Sequence, residues 1–131
     1  GQMLRQYAQR KVIFTNATRK HAERVLAALG IEDCFDQIID IYAIQPYCKP
    51  QPEAYQVALR LANVQDVRRV LFVDDTIKNV ETARSMGFVT IRVGEPCEQA
   101  QFSIARLAEL PLVVPLNGHC PPADQGDQNA G

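Results

Sequence analysis

Two adjacent carboxylates at the end of an apolar run are the residues best suited to chemistry in this chain. Asp74 and Asp75 follow the apolar residues 70–73 directly, and such a run predicts a buried strand. Open α/β sheets bind ligands beyond the carboxyl ends of their strands, and a hard cation such as Mg²⁺ compensates clustered carboxylates. The alternative is a solvated turn that caps a helix starting near Thr76. These residues alone do not separate the two interpretations.

Two earlier segments carry groups that suit phosphate binding. Residues 11–14 predict another apolar strand, which ends in Thr15 and Asn16 before a helix. Lys49 lies in the proline-stiffened loop 47–53, again before a helix. Hydroxyls and the first helical N–H groups hydrogen-bond phosphate oxygens, and a lysine supplies a point charge. Together with the carboxylates, these segments predict a phosphate-and-metal site.

The sequences FTNAT, CKPQPEAY and FVDDTIKNVETA, in that order, resemble motifs II, III and IV of the haloacid dehalogenase (HAD) superfamily. The three motif sequences are most similar to those of the pyrimidine 5′-nucleotidase-like branch, and the resemblance covers residues 11–93. It implies a three-layer, Rossmann-like α/β core with a parallel sheet. It also implies that Thr15 binds the phosphoryl group, that Lys49 neutralises the nucleophile and the phosphate, and that Asp74 and Asp75 hold Mg²⁺.

Two asparagines accompany these residues. Asn16 is expected to be a cap or turn residue that touches the substrate through its backbone. Asn79 lies four residues after Asp75 and therefore faces the same side of the helix. It is a candidate for orienting a carboxylate or a metal-bound water, and the alternative is a polar surface residue. His21 and His119 are expected to have no catalytic role.

The family's first motif has no counterpart here. It is an apolar strand that ends in Asp-x-Asp and supplies the nucleophile and the general acid/base, but no Asp occurs before Asp33. The cap domain of this branch is absent as well. We therefore expect residues 1–10 to end a missing upstream segment and residues 11–114 to form an incomplete HAD-like core. The chain would be the C-terminal part of an enzyme and inactive alone.

The resemblance implies Mg²⁺-dependent hydrolysis of a phosphomonoester, such as a nucleoside monophosphate or similar small metabolite, through an aspartyl-phosphate. The alternative is a non-catalytic HAD-like domain that binds a partner through open strand edges. An in-frame Asp-x-Asp strand in the coding DNA upstream of Gly1 would favour the enzyme. A phospho-acceptor receiver domain also pairs acids with a lysine, but here Lys49 precedes the acids, which argues against that class.

Composition limits the remaining choices. The 131 residues allow one domain at most. A net charge of −1 gives no electrostatic case for binding a nucleic acid polymer or an anionic membrane. No apolar run approaches the roughly 20 residues that span a bilayer. The 4 cysteines lack CxxC spacing, which is typical of reduced thiols and a cytoplasmic location.

The apolar pattern alternates as β-α-β-α-β-α-β, which predicts a parallel sheet covered by helices. A short helix at 105–110, a last strand at 112–114 and a disordered tail at 115–131 are expected to follow. Without the first motif, strands 12–15 and 70–73 would become edges. We therefore expect the chain to be marginally stable or to self-associate.

Overall fold

The computed structural model describes residues 2–114, and it confirms an α/β fold with parallel sheets. The chain divides into two compact units, Gly1–Gln65 and Asp66–Gly131. The predicted tail at 115–131, with His119, lies outside the described residues. The helices and strands, in chain order, are α1 (Gln2–Arg5), β1 (Val12–Phe14), α2 (Arg19–Leu29), β2 (Gln37–Ile39), α3 (Pro52–Leu61), β3 (Leu71–Asp74), α4 (Ile77–Ser85), β4 (Val89–Val93) and β5 (Phe102–Ile104).

In the first unit, β1 and β2 pair in parallel, with Phe14 opposite Ile39. The intervening helix α2 starts at the N-cap Thr18, whose hydroxyl accepts the backbone N–H of His21 at 3.2 Å. It ends at Gly30, whose φ of 69° is left-handed, a conformation that glycine adopts readily after a helix.

The apolar residues of α2 are only partly buried. Ala22 and Leu26 are in the core, whereas Val25 and Leu29 are 42% and 64% exposed. Leu29 is the last residue of α2. The core of the first unit therefore covers only part of the apolar face of this helix.

The core of the first unit fixes the carboxyl end of β1. Ile39, Ile44 and Tyr55 are at most 1% exposed. The ring of Tyr55, from α3, packs edge-on against Phe14 with centroids 5.4 Å apart. Pro52 occupies the first turn of α3, where its missing N–H costs nothing.

The second unit is a three-stranded parallel sheet in the order β3-β4-β5. Phe72 and Phe88 pack together with centroids 5.7 Å apart, and Val80 and Ile91 of the same unit are 0% exposed. The strand β5 was not predicted. A strand at 112–114 was predicted wrongly, because a 3-10 helix, Leu107–Leu112, occupies that region and Val114 N donates to Leu110 O at 2.9 Å.

The strands that were expected to become edges, β1 and β3, are outer strands of their sheets. Association of the protein through these strands stays a prediction. Within residues 2–114, no helix has the length and apolar character that crossing a bilayer requires.

Candidate functional site

Thr15 lies where β1 turns toward α2. Its backbone N–H donates to Ile39 O at 3.0 Å, which extends the parallel ladder by one bond. Its hydroxyl oxygen accepts the N–H of Ala17 at 2.9 Å. Thr15 therefore does not cap α2, because Thr18 does. A hydroxyl that accepts through a lone pair still has one O–H to donate, which suits a phosphoryl oxygen.

Asn16 binds the loop that carries Lys49. Its Nδ2 donates to Lys49 O at 3.1 Å, and Lys49 N donates to its Oδ1 at 2.9 Å. Sequence analysis predicted a substrate contact through the Asn16 backbone and missed this use of the side chain. The two residues are 33 positions apart, so no local pattern could have indicated the pairing.

The ammonium group of Lys49 contacts the last residue of β1, Phe14. Its Nζ donates to Phe14 O at 2.9 Å and lies 5.0 Å from the centroid of the Phe14 ring. Both contacts favour a cation at this position. The first unit thus brings Thr15, Asn16 and Lys49 together and presents a hydroxyl and an ammonium at one strand end.

In the second unit, Asp74 is the last residue of β3 and is held by two donors. Thr76 N donates to its Oδ1 at 2.9 Å, and Asn79 Nδ2 donates to its Oδ2 at 3.3 Å. Asn79 is only 8% exposed, so the interpretation of this residue as a polar surface group is wrong. It orients a carboxylate, as the alternative held, and that carboxylate belongs to Asp74. Asp74 therefore forms a turn of the kind that the alternative interpretation expected, because its carboxylate accepts the N–H of the second residue after it.

Asp75 differs from its neighbour in being exposed. Its Oδ1 accepts the hydroxyl of Thr76 at 3.3 Å, and its backbone carbonyl accepts Arg92 Nε at 3.2 Å. Arg92 comes from β4, where it is paired in register with Asp74. The exposed carboxylate thus extends from a turn whose backbone is fixed.

Sequence analysis missed Arg92 and the glycine that accommodates it. Gly94 has a φ of 139°, and a Cβ there would lie 3.1 Å from Arg92 Nε. Glycine therefore provides both the backbone conformation and the space that the guanidinium occupies. An arginine at a strand end, followed two residues later by glycine, is the only local signal that the sequence offered.

The chemistry of the two carboxylates fits a magnesium ion. Across residues 2–114, no group of three or more His, Cys, Asp or Glu side chains is arranged to hold a metal. Mg²⁺ prefers oxygen ligands and is commonly held by one or two carboxylates together with waters and substrate phosphates. Asp75 is the better placed metal ligand, because its side chain is exposed, whereas Asp74 is half-buried and each of its oxygens accepts an N–H group.

Comparison with known proteins identifies the family of this chain. Residues 2–87 match the haloacid dehalogenase-like hydrolase family. This range includes all three motifs on which the resemblance was based. The chain belongs to that family of hydrolases.

Similar proteins support the same grouping. "Phosphate metabolism protein 8" of Saccharomyces cerevisiae is 29% identical, with 83% of this chain and 40% of that protein covered. L-2-haloacid dehalogenase from Xanthobacter autotrophicus superposes with a TM-score of 0.73 at 22% identity, covering 86% of this chain and 58% of that one. The HAD-hydrolase YfnB of Bacillus subtilis, solved with magnesium, gives 0.70 at 18% identity, covering 81% and 47%. The chain thus spans well under two thirds of the length of these proteins.

Proposed function

We propose that this chain carries the phosphate-binding and metal-binding residues of a Mg²⁺-dependent phosphomonoester hydrolase. The observation that carries the proposal is the position of Lys49, whose ammonium is held at Phe14 O, one residue before Thr15. A hydroxyl and a fixed cation at the end of a parallel strand suit a phosphoryl group. The yeast relative, whose name refers to phosphate metabolism, points in the same direction.

Each residue has a distinct task in this proposal. Thr15 donates its O–H to a phosphoryl oxygen, and Lys49 offsets the negative charge of the phosphate. Asp75 holds the cation, and Asp74 secures the start of the turn through Thr76 and Asn79. Bound Mg²⁺ would supply electrostatic stabilisation of phosphoryl oxygens. The family resemblance also implies an attacking carboxylate, and residues 1–14 contain neither Asp nor Glu.

The substrate we propose is a nucleoside monophosphate or a similar small phosphorylated metabolite. Support comes from the likeness of the three motifs to the pyrimidine 5′-nucleotidase-like branch. The net charge of −1 favours a small ligand over a nucleic acid polymer. A cytoplasmic location belongs to the same proposal, and it rests on the absence of CxxC spacing among the 4 cysteines.

The test is a phosphate-release assay on the protein encoded by the complete open reading frame, using cytidine and uridine monophosphates with and without Mg²⁺. Lys49→Ala should reduce the rate strongly, whereas Lys78→Ala, at an exposed position of α4, should leave it unchanged. A parallel assay measures halide release from 2-haloacids. Halide release without phosphate release would reject the proposal in favour of a dehalogenase, and release of neither would favour a non-catalytic binding domain.

A further inference from the structure

We infer that Asn16 is a positioning residue that holds Lys49 in the orientation needed to bind phosphate. The inference rests on the proposed function for the role of Lys49. Its structural basis is independent of that role, because it lies in the pair of hydrogen bonds between the Asn16 side chain and the Lys49 backbone. We call this pair of bonds the amide clamp.

The amide clamp requires the chemistry of asparagine. Its Oδ1 accepts the Lys49 N–H at 2.9 Å while its Nδ2 donates to the Lys49 carbonyl at 3.1 Å. A carboxylate can accept but cannot donate, and a hydroxyl cannot reach both groups of one residue. Glutamine has the same amide but an additional methylene, which displaces it from both partners.

The clamp joins the lysine loop to a rigid strand end. Phe14 is fixed by its pairing with Ile39 and by the ring of Tyr55. Asn16 follows Phe14 by two residues and holds the Lys49 backbone, while Phe14 O holds the Lys49 ammonium. The lysine is therefore fastened at both its backbone and its charged end.

The loop has an internal turn that does not depend on Asn16. Gln51 N donates to Cys48 O at 2.8 Å, and Cys48 N donates to Gln51 Oε1 at 2.9 Å. Removing the Asn16 side chain should therefore leave the turn formed but release it from β1. The expected defect is a loss of position at Lys49, with the fold of the unit retained.

The test measures the reactivity of individual lysines in the 131-residue chain by reductive methylation and mass spectrometry. In Asn16→Ala, the labelling rate of Lys49 should rise about fivefold, which corresponds to about 1 kcal/mol of lost hydrogen bonding. Asn16→Asp retains the acceptor and should give a smaller increase. Lys11, whose Nζ donates to Gln9 O at 3.0 Å, serves as the internal reference.

The matched control is Gln37→Ala, which removes a side-chain bond to Leu61 O in the same unit and should leave Lys49 labelling unchanged. An unchanged Lys49 rate in Asn16→Ala would overturn the inference. An equal rise at Lys11 would also overturn it, since Asn16 would then stabilise the whole unit. If Asn16→Ala does not fold, the Lys49-to-Lys11 ratio in Asn16→Asp decides. None of these labelling rates depends on turnover. A failure of the proposed enzyme activity can therefore be distinguished from a failure of the inference about Asn16.

Discussion

Substitution of the two neighbouring carboxylates should separate stability from metal binding. Asp74 accepts N–H groups from Thr76 at 2.9 Å and Asn79 at 3.3 Å. Asp75 is exposed and accepts the Thr76 hydroxyl at 3.3 Å. We therefore expect Asp74→Ala to destabilise the protein, and Asp75→Ala to remove Mg²⁺ affinity with little effect on stability.

The size of the expected loss of stability follows from how deeply the two groups that donate to Asp74 are buried. Asp74→Ala deprives the amide of Asn79, which is 8% exposed, of this acceptor, and such a loss costs about 1 to 3 kcal/mol. The exposed N–H of Thr76 can bond to water instead and adds at most about 1 kcal/mol. The free energy of unfolding should fall by about 2 to 3 kcal/mol in Asp74→Ala. It should fall by less than about 0.5 kcal/mol in Asp75→Ala, as for most surface substitutions.

Urea unfolding followed by circular dichroism measures the stability, and calorimetric titration with Mg²⁺ in the presence of inorganic phosphate measures the affinity. With a slope of about 1 to 3 kcal/mol per molar urea, the Asp74→Ala midpoint should fall by about 0.7 M or more. Asp74→Asn, which keeps an acceptor for Thr76 N, should recover part of this loss. Equal destabilisation by both alanine variants, or wild-type Mg²⁺ affinity in Asp75→Ala, would refute the reasoning.

Three further substitutions test other parts of the structure. Gly94→Ala should displace the Arg92 guanidinium, because the new Cβ would lie 3.1 Å from Arg92 Nε at a φ of 139°. The NMR signal of the Arg92 Nε–H group should then move from its position in the unsubstituted protein. Ile44→Ala should lower the free energy of unfolding by about 2 to 5 kcal/mol, because Ile44 is 0% exposed; a loss under about 1 kcal/mol in urea would contradict the packing described. The side-chain hydrogen bond and charge of Arg5 lower the pKa of Asp33 below its usual value of 3.8. The ion pair between Asp33 and Arg5 therefore stabilises the protein at pH values above 3.8, and this stabilisation is lost as the pH falls through the lowered pKa of Asp33 in the folded state. Asp33→Asn should remove this part of the pH dependence, so the free energy of unfolding should fall less steeply with acid than in the unsubstituted protein.

Strands with continuous apolar residues were predictable from sequence, and β5 and α1 were not. The runs that form β1 and β3 were both predicted because buried parallel strands read as continuous apolar residues. Strand β5, Phe102–Ile104, is equally short but has a serine at its centre, so it shows no continuous apolar run. The four-residue helix α1 has too few residues to show a period.

The site was predictable in its residue types but not in its connections. Thr15, Lys49, Asp74 and Asp75 could be named because each follows a strand or precedes a helix in a motif. The bonds that position them join residues far apart in sequence, 33 positions for Asn16 and Lys49 and 17 for Arg92 and Asp75. Periodicity describes neighbours along the chain, so it carries no information on such pairings.

Because Asp74 is held by hydrogen bonds and Asp75 is exposed, mutations at these two positions should have different evolutionary consequences. A genetic change at Asp74 would disturb both the fold and the site, so a cell would lose the protein itself through degradation. A change at Asp75 would leave an intact, abundant protein without the carboxylate that we propose as the Mg²⁺ ligand, because that side chain is exposed and contributes little to the folded state. A descendant could thus lose the proposed metal site in a single step while its fold stayed available for another use.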